Sequence, residues 1–221
     1  MVHSDDNGFV LPPKISPIHI VVLPIIHSEE IKHDILKFCE NLKKEVEGIK
    51  YFSSNITLEI DSSDMRGGEK KWKWIKNGVP LIVEIGPKEI ENKELFVQRR
   101  DTLEKKSYKK DLFLYSVVEI LDNIQKTLFD KAKNFLHENI KKVDDKGEFY
   151  TFFSQNEKED FGMENGFIKA YFCQDEKEEE LIKKELSVSL RVIPFDQQNK
   201  EGSCIFCKKK CKTEAVFAKA Y

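Results

Sequence analysis

Residues 80–89 read Pro80-Leu81-Ile82-Val83-Glu84-Ile85-Gly86-Pro87-Lys88-Glu89, a short aliphatic run closed on each side by turn residues. Such a run predicts a strand buried in a parallel or mixed sheet. Upstream, Ile18-His19-Ile20-Val21-Val22-Leu23 repeats the pattern and ends at Pro24. Between the two, Ser28 stands at an N-cap position ahead of Glu29 and Glu30. Ile31, Ile35, Phe38, Leu42 and Val46 then recur at helical spacing up to Gly48, with Cys39 beside that stripe as a small buried hydrophobe. Ile56–Ile60 alternates as a half-exposed strand, and Glu69 to Asn77 reads as a short helix stopped by Gly78. Downstream, Leu95–Arg99 reads as a strand, and Asp111 caps a long helix that holds apolar spacing to about Lys142. The order is that of a compact α/β domain.

Further out, Gly8, Pro12-Pro13 and Pro17 make residues 1–17 an irregular lead-in. Asp144-Asp145-Lys146-Gly147 is the boundary the composition suggests, which gives units over 18–143 and 144–221. The second unit reads as a strand at Phe167–Phe172, a charged helix at Asp175–Glu185, a strand at Val188–Pro194, a knuckle at Cys204–Cys211 and a last strand from Glu214.

With 40% hydrophobic and 34% charged residues, the chain is expected to be a soluble packed protein. Its longest apolar stretch is far shorter than the roughly 20 residues that span a bilayer. The first residues carry no basic and apolar leader pattern, so a cytoplasmic location is expected. Net charge is −2, yet Arg66 to Lys110 holds 13 Lys/Arg against 7 Asp/Glu. A basic middle between acidic ends suits a localised phosphate-binding face, and equally a solvated lysine-rich surface.

Five cysteines in a chain without a leader argue against a disulfide framework. Cys204-x-x-Cys207 supplies half a tetrahedral metal site, Cys173 a third thiolate, and Cys211 the simplest fourth, with Glu178 behind it. A metal-free knuckle and a redox pair are the rivals to structural zinc. In Lys70-Lys71-Trp72-Lys73-Trp74 the bases of an RNA loop could stack on an indole while lysines hold phosphates. Helical spacing points the two indoles apart, so one is expected in the core and one at the surface. Arg99-Arg100-Asp101, Lys105-Lys106 and Lys109-Lys110 read as a basic loop. The histidines form no triad pattern, and no phosphate loop or dinucleotide fingerprint is present. The residues describe a binder.

Several segments in register resemble one family. Residues 1–13 are similar to the stretch after the last catalytic motif of prolyl-tRNA synthetases of the archaeal/eukaryotic-like type, and Ser16–Val22 to the opening strand of their anticodon-binding domain. Gly78–Glu89 resembles that domain's most specific stretch, followed by Arg99-Arg100-Asp101-Thr102. Ile193–Asp196 and Phe217–Tyr221 are similar to the C-terminal domain. The resemblance implies an α/β fold: a mixed-sheet anticodon-binding domain of class II synthetase type, joined by a long helix to a small α/β domain with a cysteine knuckle. It implies a parent that attaches proline to tRNA-Pro with ATP and magnesium in a catalytic domain outside this chain, works as a homodimer, and uses this part to hold the anticodon loop. The alternative is a stand-alone RNA-binding adaptor. Proline anticodons contain two adjacent guanines, which need donors for O6 and N7 and an acceptor for N1 and N2. The family's recognition positions fall on Lys88, Glu89 and Lys105. Ile75 stands where the family has Glu and Ile82 where it has Arg, which shifts weight to Trp72, Arg99 and Arg100. In zinc-binding members two cysteines lie five apart; here Cys173 is kept, Glu178 takes the second position, and Cys204 and Cys207 match the other pair. Cys211 is then the expected compensating ligand, and Tyr221 resembles the family's terminal tyrosine.

Overall fold

The structure, a computed structural model, describes residues 3–155, 166–197 and 200–219. It divides into two compact units, Met1–Lys131 and Ala132–Tyr221. Among the described residues no helix is long and apolar enough to cross a membrane.

The first unit is built on β1 (Ile20–Pro24), α1 (Glu29–Glu47), β2 (Leu58–Ile60), α2 (Gly67–Asn77), β3 (Leu81–Ile85), α3 (Pro87–Asn92), β4 (Glu94–Arg99), β5 (Lys105–Lys109) and the start of α4 (Lys110–Glu138). The sheet order is β2-β1-β3-β4-β5. β1 runs parallel to β2 and β3, and β4 and β5 add antiparallel strands. The sheet is mixed, as the aliphatic runs imply.

Period-2 alternation decides which helix covers which face. Ile20, Val22, Leu81, Val83, Ile85, Leu95 and Val97 meet Ile35, Cys39, Leu42 and Val46 of α1 and Phe113, Val117, Leu121 and Ile124 of α4. Val21, Leu23 and Ile82 point the other way, onto Trp74 and Ile75 of α2. Cys39 is on the buried stripe itself, and burial pushes its thiol up to about 12. Ser28 occupies the N-cap of α1, but its side chain makes no capping bond. Gly78 ends α2 with φ +75°, its N–H turned back to the carbonyls of Ile75 and Trp74. A Cβ there would meet Phe9 at 2.6 Å, so the glycine also lets the lead-in pass closely.

Three elements differ from the sequence reading. Residues 87–92 form α3, because Pro87 is preset for a first helical position and Glu89 bonds back to Gly86. Residues 105–109 are an edge strand, not a loop. Their exposed lysines follow no apolar pattern, and backbone pairing with β4 alone makes the strand. The long helix stops at Glu138. Asn139 turns its N–H and side-chain amide onto Phe135 O, and residues 140–142 pair with residues 167–169 instead.

The second unit holds β6 (Ile140–Lys142), α5 (Lys146–Gln155), β7 (Phe167–Tyr171), α6 (Glu176–Leu186), β8 (Val188–Val192) and β9 (Glu214–Lys219). Sheet order is β6-β7-β9-β8. Helix α5, absent from the sequence reading, carries Phe149 and Phe153 into the core. There Phe149, Phe172, Phe206 and Phe217 stack edge-to-face, with centroids 5.1–6.2 Å apart. Glu214 is buried between Lys142 and Lys169, each 2.8 Å away, and those bonds hold its carboxyl below the usual range.

Candidate functional site

The carboxyl ends of β1, β2 and β3 open into a cleft of about 670 Å³. In open α/β sheets, ligands collect at this edge, outside the strand ends. Its walls include Ile25, His27 and Lys32 on the β1 side, Ser63 after β2, Lys71 on α2 and Glu84 on β3. Lys71 and Glu84 form an ion pair across the floor. Asp61, the first residue after β2, fixes the wall: its carboxylate accepts from Trp74 Nε1 at 2.7 Å and from Ser63 Oγ at 2.6 Å. Burial would raise this carboxyl, but the bonds from Ser63 and Trp74 outweigh it and hold it well below the usual range. The sequence reading passed over this network, whose signal is an Asp directly after a short parallel strand, followed by two serines.

Helix α3 begins at the same edge, one residue beyond β3. Lys88 is exposed and makes no hydrogen bond or ion pair among the described residues. Glu89 is half-buried, and its Oε2 accepts the Gly86 N–H at 2.9 Å. That bond fixes the turn and leaves one carboxylate oxygen for a ligand. Trp72 is 52% exposed, one residue from the cleft-lining Lys71, whereas Trp74 is 4% exposed. The helical spacing thus separates the indoles as expected.

The other basic residues lie elsewhere. Lys105 is exposed but pairs with Gln98, which itself pairs with Ile82 near the start of β3. At about 3.3 Å per residue, that start is about 13 Å from Gly86. Arg99 is at the same far end. It is clamped to Asp101 through two bonds of 3.0 and 2.7 Å, and its third nitrogen reaches Asn123 at 2.8 Å. Arg100 requires correction as a nucleic-acid contact. It is 1% exposed, with Nε on Ile75 O at 2.9 Å and both terminal nitrogens on Asp5 at 2.8 and 2.6 Å. A pair of basic residues in sequence signals charge, but β4 ends between them and turns Arg100 under the lead-in. Ile75 and Ile82 are buried together in the apolar cluster below α2. Lys105 does not share a patch with Lys88-Glu89, whereas the run ends beside α3, where Lys109 Nζ donates to Asn92 O at 3.2 Å and the Lys110 N–H to Lys93 O at 2.9 Å.

In the second unit the sulfurs of Cys173, Cys204 and Cys207 lie within 4.8 Å of one another, with 3.3 Å between Cys173 and Cys207. A tetrahedral ion with bonds of about 2.3 Å needs sulfurs about 3.8 Å apart, so the trio fits zinc. Burial would raise the Cys204 thiol, but backbone N–H groups of Cys207, Cys173 and Phe206 directed at its sulfur lower it. Burial and the neighbouring Cys207 and Cys204 sulfurs push Cys173 up to about 12. Such crowded thiols favour a cation that takes their protons' place. Cys211, expected as the fourth ligand, is outside this trio. It faces Gly202 in a two-residue ladder and is half-buried. Tyr221 is outside the described residues.

Residues 19–124 match the family described as Anticodon binding domain, and residues 156–221 that described as Prolyl-tRNA synthetase, C-terminal. A proline–tRNA ligase of Bdellovibrio bacteriovorus is 38% identical over the whole chain, which covers 44% of that protein. Those of Protochlamydia amoebophila and Rhodopirellula baltica are 34% and 33% identical, again over the whole chain and 44% and 43% of their own length. The chain thus spans less than half the length of these relatives. Its mixed-sheet domain followed by a small cysteine-bearing domain is similar, segment by segment, to the C-terminal part of the prolyl-tRNA synthetases.

Proposed function

We propose that this chain recognises the anticodon loop of tRNA-Pro, as the C-terminal part of a proline–tRNA ligase of the archaeal/eukaryotic-like type. The relatives named above come from bacteria; the type rests on the resemblance of Gly78–Glu89 and of the lead-in. The observation that carries the function is Lys88. It is an exposed ammonium, without a partner among the described residues, on the first turn of α3, at the edge where the cleft opens and beside the half-engaged Glu89. Lysine donates to guanine O6 and N7, and the remaining Glu89 oxygen accepts from N1 and N2. The exposed Trp72 offers a face for an unpaired base. On this reading the exposed Lys105, at the far end of the sheet, meets backbone phosphate and not the same bases, whereas the three nitrogens of Arg99 are engaged by Asp101 and Asn123.

On this reading the parent charges tRNA-Pro with proline using ATP and magnesium in its catalytic domain, functions as a homodimer in the cytoplasm, and holds structural zinc on Cys173, Cys204 and Cys207. The test is binding of this chain to a tRNA-Pro anticodon stem–loop and to one with both guanines replaced by adenine. Each lost guanine contact is expected to cost about 1–3 kcal/mol, so the altered loop binds at least tenfold more weakly. Equal affinity for both loops would contradict the reading.

A further inference from the structure

Lys71 and Glu84 face each other across the floor of the cleft, and neither belongs to the core. Their side chains are 19% and 21% exposed, so the pair is open to what enters. Periodicity places them there. Glu84 lies two residues beyond Ile82 and shares its face of β3, and Lys71 lies one helical turn before Ile75 and shares its face of α2. Ile75 and Ile82 pack together in the apolar cluster and offer a ligand no donor or acceptor. The ion pair continues that helix–strand contact by one step, where it emerges into the cleft. Leu23, Pro24, Ile25 and Met65 supply apolar walls. The other two lysines of the cleft are engaged: Lys32 Nζ donates to Glu29 at 3.0 Å, and that of the buried Lys70 to Asp61 O at 3.4 Å. With its lysines engaged and its walls apolar, the cleft suits a flat neutral group better than a phosphate.

An ammonium beside a carboxylate matches the Watson–Crick edge of guanine, where O6 accepts while N1–H and N2–H donate. We propose that Lys71 and Glu84 read the guanine next to the one held by Lys88 and Glu89, with Lys71 Nζ donating to O6 and the Glu84 carboxylate accepting from N1 and N2. Glu84 Oε1 holds Lys71, and Oε2 has no hydrogen bond among the described residues. A guanine entering between the two keeps both charges partnered. Adenine does not, because its N6 amine would face the ammonium and its N1 lone pair the carboxylate. Glu84 is two residues before Gly86, about 7 Å along the chain from the turn that holds α3. Two successive bases splayed from an RNA loop thus find one donor–acceptor pair each. Seating the first at the exposed rim makes capture of the second in the recessed cleft intramolecular. Loss of Lys88 therefore weakens the reading of both bases, whereas loss of the cleft pair leaves the rim contact to act alone.

The inference rests on the anticodon reading above, and a set of four loops separates the two. The full chain and its variants are titrated with the tRNA-Pro anticodon stem–loop, with the two loops in which one or the other guanine is adenine, and with the loop in which both are. For the wild type each single replacement is expected to weaken binding by at least ~5-fold. Glu84→Gln should abolish the preference at one guanine and keep it at the other, with affinity for the doubly replaced loop unchanged. Lys71→Met, which keeps the stem and removes the donor, should act at the same guanine, and it carries the prediction should Glu84→Gln fail to fold. Inosine at that position, which lacks the N2 amine, should weaken wild-type binding and leave Glu84→Gln indifferent. If the variants keep the wild-type preference at both guanines, or lose it at both alike, the proposal is wrong. If the wild type prefers guanine at neither position, the anticodon reading falls and the proposal with it.

Discussion

Replacing Arg100 by alanine should lower the stability of the first unit by about 3 kcal/mol. The guanidinium is 1% exposed and serves three partners at once: the Ile75 carbonyl, the Asp5 carboxylate and, at 3.4 Å, the Gly8 carbonyl. Removing one side of a buried ion pair costs about 3–5 kcal/mol when the other charge is stranded. Asp5 is about one-third exposed and can recover water, which moves the expectation to the lower end. The Ile75 carbonyl loses its side-chain donor, at about 1–3 kcal/mol if water cannot follow. Arg100→Lys should recover less than half, because one ammonium cannot reach Ile75 and grip both Asp5 oxygens. Denaturant unfolding checks this. A loss under about 0.5 kcal/mol would place Arg100 among ordinary surface residues. Unchanged stability together with lost RNA binding would restore it as a ligand contact.

Phe217→Ala should cost the second unit about 3–5 kcal/mol, the range for a buried Phe truncated in a packed core. Phe217 is fully buried in β9 and stacks on Phe149 and Phe172 at 5.4 Å and on Phe206 at 6.2 Å. Phe206 lies between Cys204 and Cys207, so this aromatic cluster is also the floor of the knuckle. The variant is therefore expected to bind Co²⁺ more weakly although no ligand is altered. A conservative Phe217→Leu should keep most of both properties. An alanine variant that unfolds like the wild type would show that the cluster does not carry this unit.

The strands were legible where their residues are buried on both faces. Leu81–Val83 and Ile20–Leu23 are continuous aliphatic runs, and the apolar stripe of α1 recurs at helical spacing. What stayed hidden was set by backbone pairing and local capping. β5 has no apolar alternation and exists because β4 offers it hydrogen bonds. α3 is one and a half turns held by Pro87 and the Glu89–Gly86 bond. The basic candidates Lys88 and Lys105 share a sign of charge in the sequence, and strand direction separates them. Lys88 follows β3, while Lys105 returns beside its start after the chain reverses through β4. Charge counting cannot see burial, which is why Arg100 looked like Arg99. The cysteine trio was legible from spacing, because C-x-x-C and a strand-end cysteine need only one turn to converge.

The most direct test of recognition at the carboxyl edge of the sheet compares Lys88→Ala with Lys105→Ala in binding to the tRNA-Pro stem–loop over a range of salt. Lys88→Ala should weaken binding by about 1–3 kcal/mol and erase the preference over the adenine-substituted loop. Lys105→Ala should keep that preference and reduce the salt dependence by about one phosphate contact. The opposite pattern, with discrimination surviving the loss of Lys88 and disappearing with Lys105, would contradict the account.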